Sequence, residues 1–303
     1  MTTQSNPLAQ SNPLAQSNSL EGRVAIVTGA ASPIGMGRSI TTAFVRAGAR
    51  VAMLDVNEDW LDQTANDMRE IGGDDAVLPI IADVTSPESV DSAVQRIIGE
   101  LGGLHILVNN AGINARTGGF GARAAGSQND FWTLDPDAWL RVINVNLSGP
   151  FLMSHAVAPH MIEQGFGRII GVTTSMDTMW RKGGAPYGPS KAGHEALVAI
   201  MAQDLEGTGV TANVLTPGGA TATNMVIPPE GATTDALIQP EAMQSPAVWI
   251  ASDDASHWNG RRIIAYYWDD SLPLEERLEK CSAPAAWPQL GLQAVHPDWF
   301  GRA

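Results

Sequence analysis

Two short stretches of this chain carry residues whose types and spacing suit chemistry. In YGPSK, residues 187–191, Tyr187 and Lys191 stand four apart and share a face if the segment is helical. A free phenol, with a pKa near ~10, is a poor acid–base group at neutral pH and needs a neighbouring cation to stabilise its phenolate. Lys191 is spaced to supply one. A Tyr-x-x-x-Lys pair arises often by chance and gains meaning only in combination. The second stretch, TGAASPIGMG at 28–37, is a glycine-rich turn between a strand-like and a helical run. Glycines let a phosphate approach the backbone, and a helix starting near Gly37 would turn its N–H groups and positive dipole end towards a pyrophosphate. An ordinary tight βα turn is the competing explanation. Asp55 closes the next strand-like run. A carboxylate there accepts both ribose hydroxyls of NAD and repels the 2′-phosphate of NADP, although a helix N-cap would also use an aspartate.

Such groups need elements to hold them, and the apolar pattern supplies these. Strand-like runs occur at 24–29, 51–55, 77–84, 105–112, 168–174, 210–215 and 261–268. Uninterrupted Val/Ile-rich runs of this kind suit strands buried on both faces of a parallel sheet. Helical stretches lie between them. Ser86 and Pro87 open one as N-cap and first-turn residue, and Val90, Val94, Ile97, Ile98 and Leu101 follow at helical spacing. Leu61, Ala65 and Met68 form the stripe of another. Repeated β-α-β units with right-handed crossovers predict an α/β fold, a doubly wound parallel sheet with helices on both faces, in a single domain.

The pattern divides the 303 residues into an arm at 1–19, a single α/β domain at 20–269 and an extension at 270–303. The arm repeats QSNPLA and has too polar and proline-broken a composition to offset the entropy of ordering, so it is expected to be flexible. The glycine-rich stretch 113–131 also breaks the rhythm, and the extension carries Trp287, Trp299 and Phe300. A net charge of −14 repels nucleic acid and anionic membranes, so neither is expected as a partner. Cys281 is the sole cysteine and the six histidines lack metal-ligand spacing; no disulfide or metal site is predicted. No stretch is apolar enough to span a bilayer and the amino terminus lacks signal-peptide features, so a cytoplasmic protein is expected.

TGAASPIGMG, Asp55, ADV (82–84), NNAG (109–112), VNL (145–147), YGPSK and TPGG (216–219) follow one another in the order and spacing of the short-chain dehydrogenase/reductase family, which the chain resembles over about residues 22–269. The resemblance implies an NAD-dependent oxidoreductase working on an alcohol or ketone, with Tyr187 as general acid–base. Lys191 would lower its pKa and bind the nicotinamide ribose. Asn146 would hold the water of a proton relay. Asp83 and Val84 would contact adenine, Asn110, Ala111 and Gly112 would line the adenosine-ribose side, and Pro217 and Gly218 would border the nicotinamide. Gly29, Ser32, Gly35, Met36, Gly37, Val56, Ala220 and Thr221 complete the implied cofactor set. A homo-oligomer, dimer or tetramer, is implied as well.

The chain departs from the family pattern in four places. The glycine turn is two residues longer, with Gly35 and Gly37 matching the second and third family glycines. The loop after NNAG is long, and WDDS replaces the usual ending of the last strand. The family's substrate-polarising serine falls on Thr174, with Ser175 beside it. The residue count favours Thr174, whereas a one-residue bulge would present Ser175. An NADPH-dependent carbonyl reductase, a silent dinucleotide-binding sensor and an isomerase or dehydratase on the same scaffold are the alternatives. Trp132, Trp139 and Trp180 fit an aromatic substrate wall or simple core packing equally well. The extension is expected to pack on a neighbouring subunit or over the substrate mouth.

Overall fold

A computed structural model describes residues 19–115, 130–226, 231 and 233–288. The flexible-arm expectation for 1–19 (all but Ser19), most of the 113–131 loop, and Trp299 and Phe300 therefore lie outside the described residues. Among the described residues eight strands form one sheet in the order β3-β2-β1-β4-β5-β6-β7-β8. They are β1 Val24–Thr28, β2 Arg50–Asp55, β3 Val77–Ile81, β4 Ile106–Asn109, β5 Gly167–Val172, β6 Val210–Thr216, β7 Arg261–Ile264 and β8 Ser282–Pro284. All pair in parallel except β8, which lies antiparallel against β7.

Every residue of β1, β5 and β6 is buried, because helices cover both faces of the sheet. Side-chain alternation splits each strand between two cores. Ala25 and Val27 face helices α1 (Met36–Arg46), α2 (Glu58–Gly72) and α8 (Gln244–Ala251), meeting Ile40, Phe44, Met68 and Trp249. Val24 and Ile26 face α3 (Pro87–Leu101), α5 (Gly149–Glu163) and α7 (Tyr187–Asp204), meeting Val94, Ile97, Val157 and Val198. Ser86 caps α3 as expected by accepting the Ser89 N–H, with Pro87 in the first turn. Leu61, Ala65 and Met68 are buried, as are Val90, Val94, Ile97 and Leu101; Ile98 is only half-buried. Among the described residues no helix is long and apolar enough to cross a membrane.

The strands are shorter than their apolar runs. β3 stops at Ile81, and the Asp83 carboxylate then folds the chain into a turn by accepting the Thr85 N–H and hydroxyl. β7 stops at Ile264 because residues 265–267 coil into a 3₁₀ turn, with the Tyr266 N–H bonded to the Pro217 carbonyl. The described part of the extension packs on its own domain. Helix α9 (Leu274–Cys281) is docked by Arg277, which pairs with Asp270 at 3.1 Å and lies over the Trp268 ring, and Cys281 is buried. β8 then covers the free edge of β7. The sequence gives little sign of it, since SAP is a three-residue segment with no apolar alternation.

Ending the chain after Leu272 should therefore destabilise the domain by about 2–4 kcal/mol, the burial of two or so apolar side chains. Thermal unfolding should record a fall of roughly 5–10 °C in Tm; an unchanged Tm would show that α9 and β8 are dispensable.

Candidate active site

The strand order reverses between β1 and β4, and at such a switch point the loops leaving the two strands diverge and open a crevice. Side chains fix this seam. The Thr28 hydroxyl accepts N–H groups from Asn110 and Ala111, while the Asn110 amide donates to the carbonyls of Thr28 and Gly29 at 2.9 and 3.0 Å. Gly29 turns the chain at φ +66°, where most side chains would be strained. Gly37 lies so close to this turn that a Cβ there would collide with the Gly29 carbonyl.

Helix α1 begins at Met36 with Gly35 as N-cap, no capping side chain and no acidic residue in its first turn. Its leading N–H groups and positive dipole end are thus left for an anion. Asp55 stands beside the turn: one oxygen accepts the Ala31 N–H at 3.0 Å, the other those of Val56 and Asn57 at 2.8 and 3.1 Å. It is not the cap of α2, a role taken by Asn57 through the Trp60 N–H. Ser32, in the lengthened part of the turn, accepts a hydrogen bond from Asn224 at 3.0 Å, which joins the turn to the segment after β6. On that segment Gly218 has φ +102°, while Ala220 and Thr221 pair with Ile238. Val84 is buried at the end of the β3 side, and Asp83 and Val56 are exposed. The uncapped helix start, the glycine contact and the neighbouring carboxylate fit the pyrophosphate and ribose of a dinucleotide.

Tyr187 opens α7 and Lys191 follows one turn later. Lys191 is 3 % exposed; its ammonium donates to the Val172 carbonyl at 2.7 Å and lies 6.0 Å from the centre of the Tyr187 ring. Burial pulls its pKa down to about 8. Burial pushes the Tyr187 phenol up to about 12, against the pull of the Thr174 hydroxyl beside it. The Ser175 hydroxyl is turned away to Thr178, at 2.8 Å, at the start of α6 (Met176–Trp180). Two residues beyond the end of β5 it is therefore Thr174, not Ser175, that meets the phenol.

Asn146 sits in a π turn, Asn144–Ser148, between α4 (Pro136–Ile143) and α5. Its amide donates to the Ile113 carbonyl and the Ser190 hydroxyl and its oxygen accepts the Ile113 N–H. Gly112 lies where an added Cβ would meet both Lys191 Nζ, at 3.3 Å, and Asn146 Oδ1, at 3.4 Å, so the three converge. The wider π turn is a change of helical register of the kind found at functional sites. Trp132, Trp139 and Trp180 are exposed, which removes the core-packing explanation for them. Sequence reasoning missed Thr28, Ser190, Glu195 and Arg262. The signal for Glu195 was available: it follows Tyr187 and Lys191 at spacings of four on one helical face.

The short chain dehydrogenase family profile matches residues 23–230. The chain belongs to the short-chain dehydrogenase/reductase family. It is 31 % identical over 252 residues to the 3-oxoacyl-[acyl-carrier-protein] reductase FabG of Thermotoga maritima, covering 80 % of this chain and 96 % of that protein. To the D-threitol dehydrogenase of Mycolicibacterium smegmatis it is 32 % identical over 255 residues, covering 81 % and 92 %. The crystal structure of a short-chain type dehydrogenase/reductase from Mycobacterium marinum superposes with a TM-score of 0.69 at 28 % identity, covering 83 % of this chain and 96 % of that one. Family membership makes the protein an oxidoreductase that binds a nicotinamide cofactor and acts on a small molecule.

The Gly29–Gly37 contact is open to a direct test. Gly37→Ala should lift α1 off the turn and weaken dinucleotide binding about five- to 150-fold, since overpacking a close contact costs about 1–3 kcal/mol. Titration calorimetry reads the change, and wild-type affinity in this variant would show that the turn can give way.

Proposed function

We propose that the protein is an NAD-dependent dehydrogenase that interconverts a secondary alcohol and its ketone, with Tyr187 as the general acid–base. The observation that carries this reading is the buried Lys191 ammonium one helical turn from the Tyr187 phenol, with the Thr174 hydroxyl against the phenol. Bound in the crevice, the nicotinamide ring would take up or release the hydride of the substrate carbon. In oxidation Tyr187 receives the hydroxyl proton as the carbon–oxygen double bond forms, and in reduction it returns that proton to the carbonyl oxygen. Thr174 donates a hydrogen bond to the same oxygen, and the Lys191 charge favours the phenolate. Asn146, held by the Ile113 backbone and lying with Lys191 beside Gly112, would hold a water that carries protons between Lys191 and solvent.

Asn110, Ala111 and Gly112 would line the adenosine-ribose side of the crevice, and Pro217, Gly218, Ala220 and Thr221 the nicotinamide side. Gly29, Ser32, Gly35, Met36 and Gly37 would hold the pyrophosphate, and Asp83, Val84 and Val56 would border the adenine. Asp55 supports NAD over NADP. Three backbone N–H groups fix its carboxylate at the end of β2, and a 2′-phosphate brought there would meet that negative charge.

Tyr187→Phe should lower kcat by about 10²–10⁴ while leaving cofactor affinity near wild type. Because the phenol of the cofactor-free protein is raised to about 12, it is protonated near neutrality, and kcat/KM for oxidation should climb from about pH 6 towards 8, where Lys191 begins to lose its charge, while that for reduction does not. Assays of NADH absorbance over a panel of alcohols test both, and a fully active Tyr187→Phe enzyme would end the proposal. Asp55→Ala should separately narrow the preference for NAD over NADP by about tenfold or more, equivalent to about 1.4 kcal/mol. A wild-type enzyme that binds both cofactors equally would contradict the role given to Asp55.

A further inference from the structure

Three consecutive residues carry the end of β5 into the site, and each is held by a different side chain. The Val172 carbonyl accepts from Lys191 at 2.7 Å. The Thr173 hydroxyl donates to Glu195 Oε2 at 3.0 Å. The Thr174 carbonyl accepts from Arg262 Nη2 at 3.2 Å. Arg262, on β7, pairs through Nη1 with Glu195 Oε1 at 3.2 Å, and their side chains are 5 % and 0 % exposed. The Ala286 N–H, just beyond β8, donates to the same Glu195 oxygen at 3.4 Å.

A buried ion pair is a poor source of stability, because desolvating two charges offsets most of their attraction and a well-packed apolar pair commonly does as well or better. What the pair supplies here is direction. The planar guanidinium reaches the carboxylate with one nitrogen and the Thr174 carbonyl with another, a double reach that the single nitrogen of a lysine lacks. Fixing that carbonyl fixes the peptide plane after Thr174. Thr174 and Ser175 flank this plane just beyond the end of β5, so its orientation bears on which of the two hydroxyls faces the phenol. Glu195 follows Lys191 by one turn on α7, so one helical face carries the acid–base, its cation and the anchor of the opposing strand.

We propose that Glu195 and Arg262 are positioning residues that hold the Thr174 hydroxyl against the Tyr187 phenol, and that β8 and Ala286 complete their enclosure. The proposal rests on the reading of Tyr187 and Thr174 given above. Nothing in the pair touches substrate; it acts through the strand end. The extension thereby has a part in the chemistry, since it closes the space around a carboxylate linked in two steps to the catalytic hydroxyl.

The test is a cycle of Glu195→Leu/Arg262→Met, which removes both charges together, with Thr174→Val. The paired variant should lose about 10- to 100-fold in kcat, less than the ~10²–10³ of deleting a hydrogen-bond donor outright. Its cofactor Kd should stay within about twofold of wild type. Added to Thr174→Val, the same pair of changes should cost less than about twofold more, because the group it positions is already gone. Arg262→Lys keeps the charge opposite Glu195 but replaces two spaced nitrogens with one on a shorter side chain, and should show the same kcat loss should the paired variant fail to fold. In the cofactor-free protein, amide hydrogen exchange over residues 172–178 should quicken about tenfold or more in either variant. A folded variant with wild-type kcat, a loss that multiplies with that of Thr174→Val, or unchanged exchange at the strand end would overturn the proposal. A fully active Tyr187→Phe enzyme would instead overturn the catalytic reading, and the exchange measurement would still decide whether the pair holds the strand.

Discussion

The site depends on a cation kept out of water. Lys191 is almost completely buried with the Val172 carbonyl as its hydrogen-bonded partner. Burying an ammonium is unfavourable unless its surroundings answer the charge. Here they do so in a way that builds the site: the carbonyl at the end of β5 and the Asn146 oxygen near Gly112 lie around the ammonium, and the Tyr187 ring is one helical turn away. Helix α7 is thereby tied to the sheet at the point where its tyrosine projects. His194 on the same helix is buried as well, and burial together with the Lys191 charge holds its pKa well below the usual value, so the imidazole adds no second cation.

The glycine turn serves a different requirement, close approach. A dinucleotide can lie across the end of a sheet only where backbone comes within reach of its phosphates, and that demands a helix start almost touching the preceding strand. Gly37 against Gly29 meets the demand sterically, and the Asn110 and Thr28 bonds meet it by joining β1 to β4 across the seam. The two extra residues of the turn leave this contact intact. The lengthened turn places Ser32 opposite Asn224, which ties the turn to the segment following β6.

The extension shows how an edge feature becomes linked to an interior one. An exposed strand edge presents unpaired backbone groups, and β8 supplies partners for those of β7. Because β7 carries Arg262 inward, the covered edge lies beside the ion pair that reaches the end of β5. Burial raises the Glu195 carboxyl, while Arg262, Thr173 and the Ala286 N–H favour its ionised form. Edge, carboxylate and strand end form one hydrogen-bonded unit.

The sequence by itself determined the doubly wound sheet and the elements that carry the site. Those depend on local patterns: uninterrupted apolar runs, helical stripes, the Ser86–Pro87 start of α3, and the spacing of Tyr187 from Lys191. Strand ends were less legible, because the Asp83 turn and the bond from Tyr266 to Pro217 stop strands whose apolar runs continue. Whether Thr174 or Ser175 faces the phenol also turned on tertiary structure. The two hydroxyls are neighbours in the chain: Arg262, from distant β7, reaches the Thr174 carbonyl, while the Ser175 hydroxyl meets Thr178 only three residues on, in α6. Glu195 and Arg262 are 67 positions apart (262 − 195), and no local rule pairs them. Only folding brings the two charges together inside the protein, where each gives the other a partner that water no longer provides.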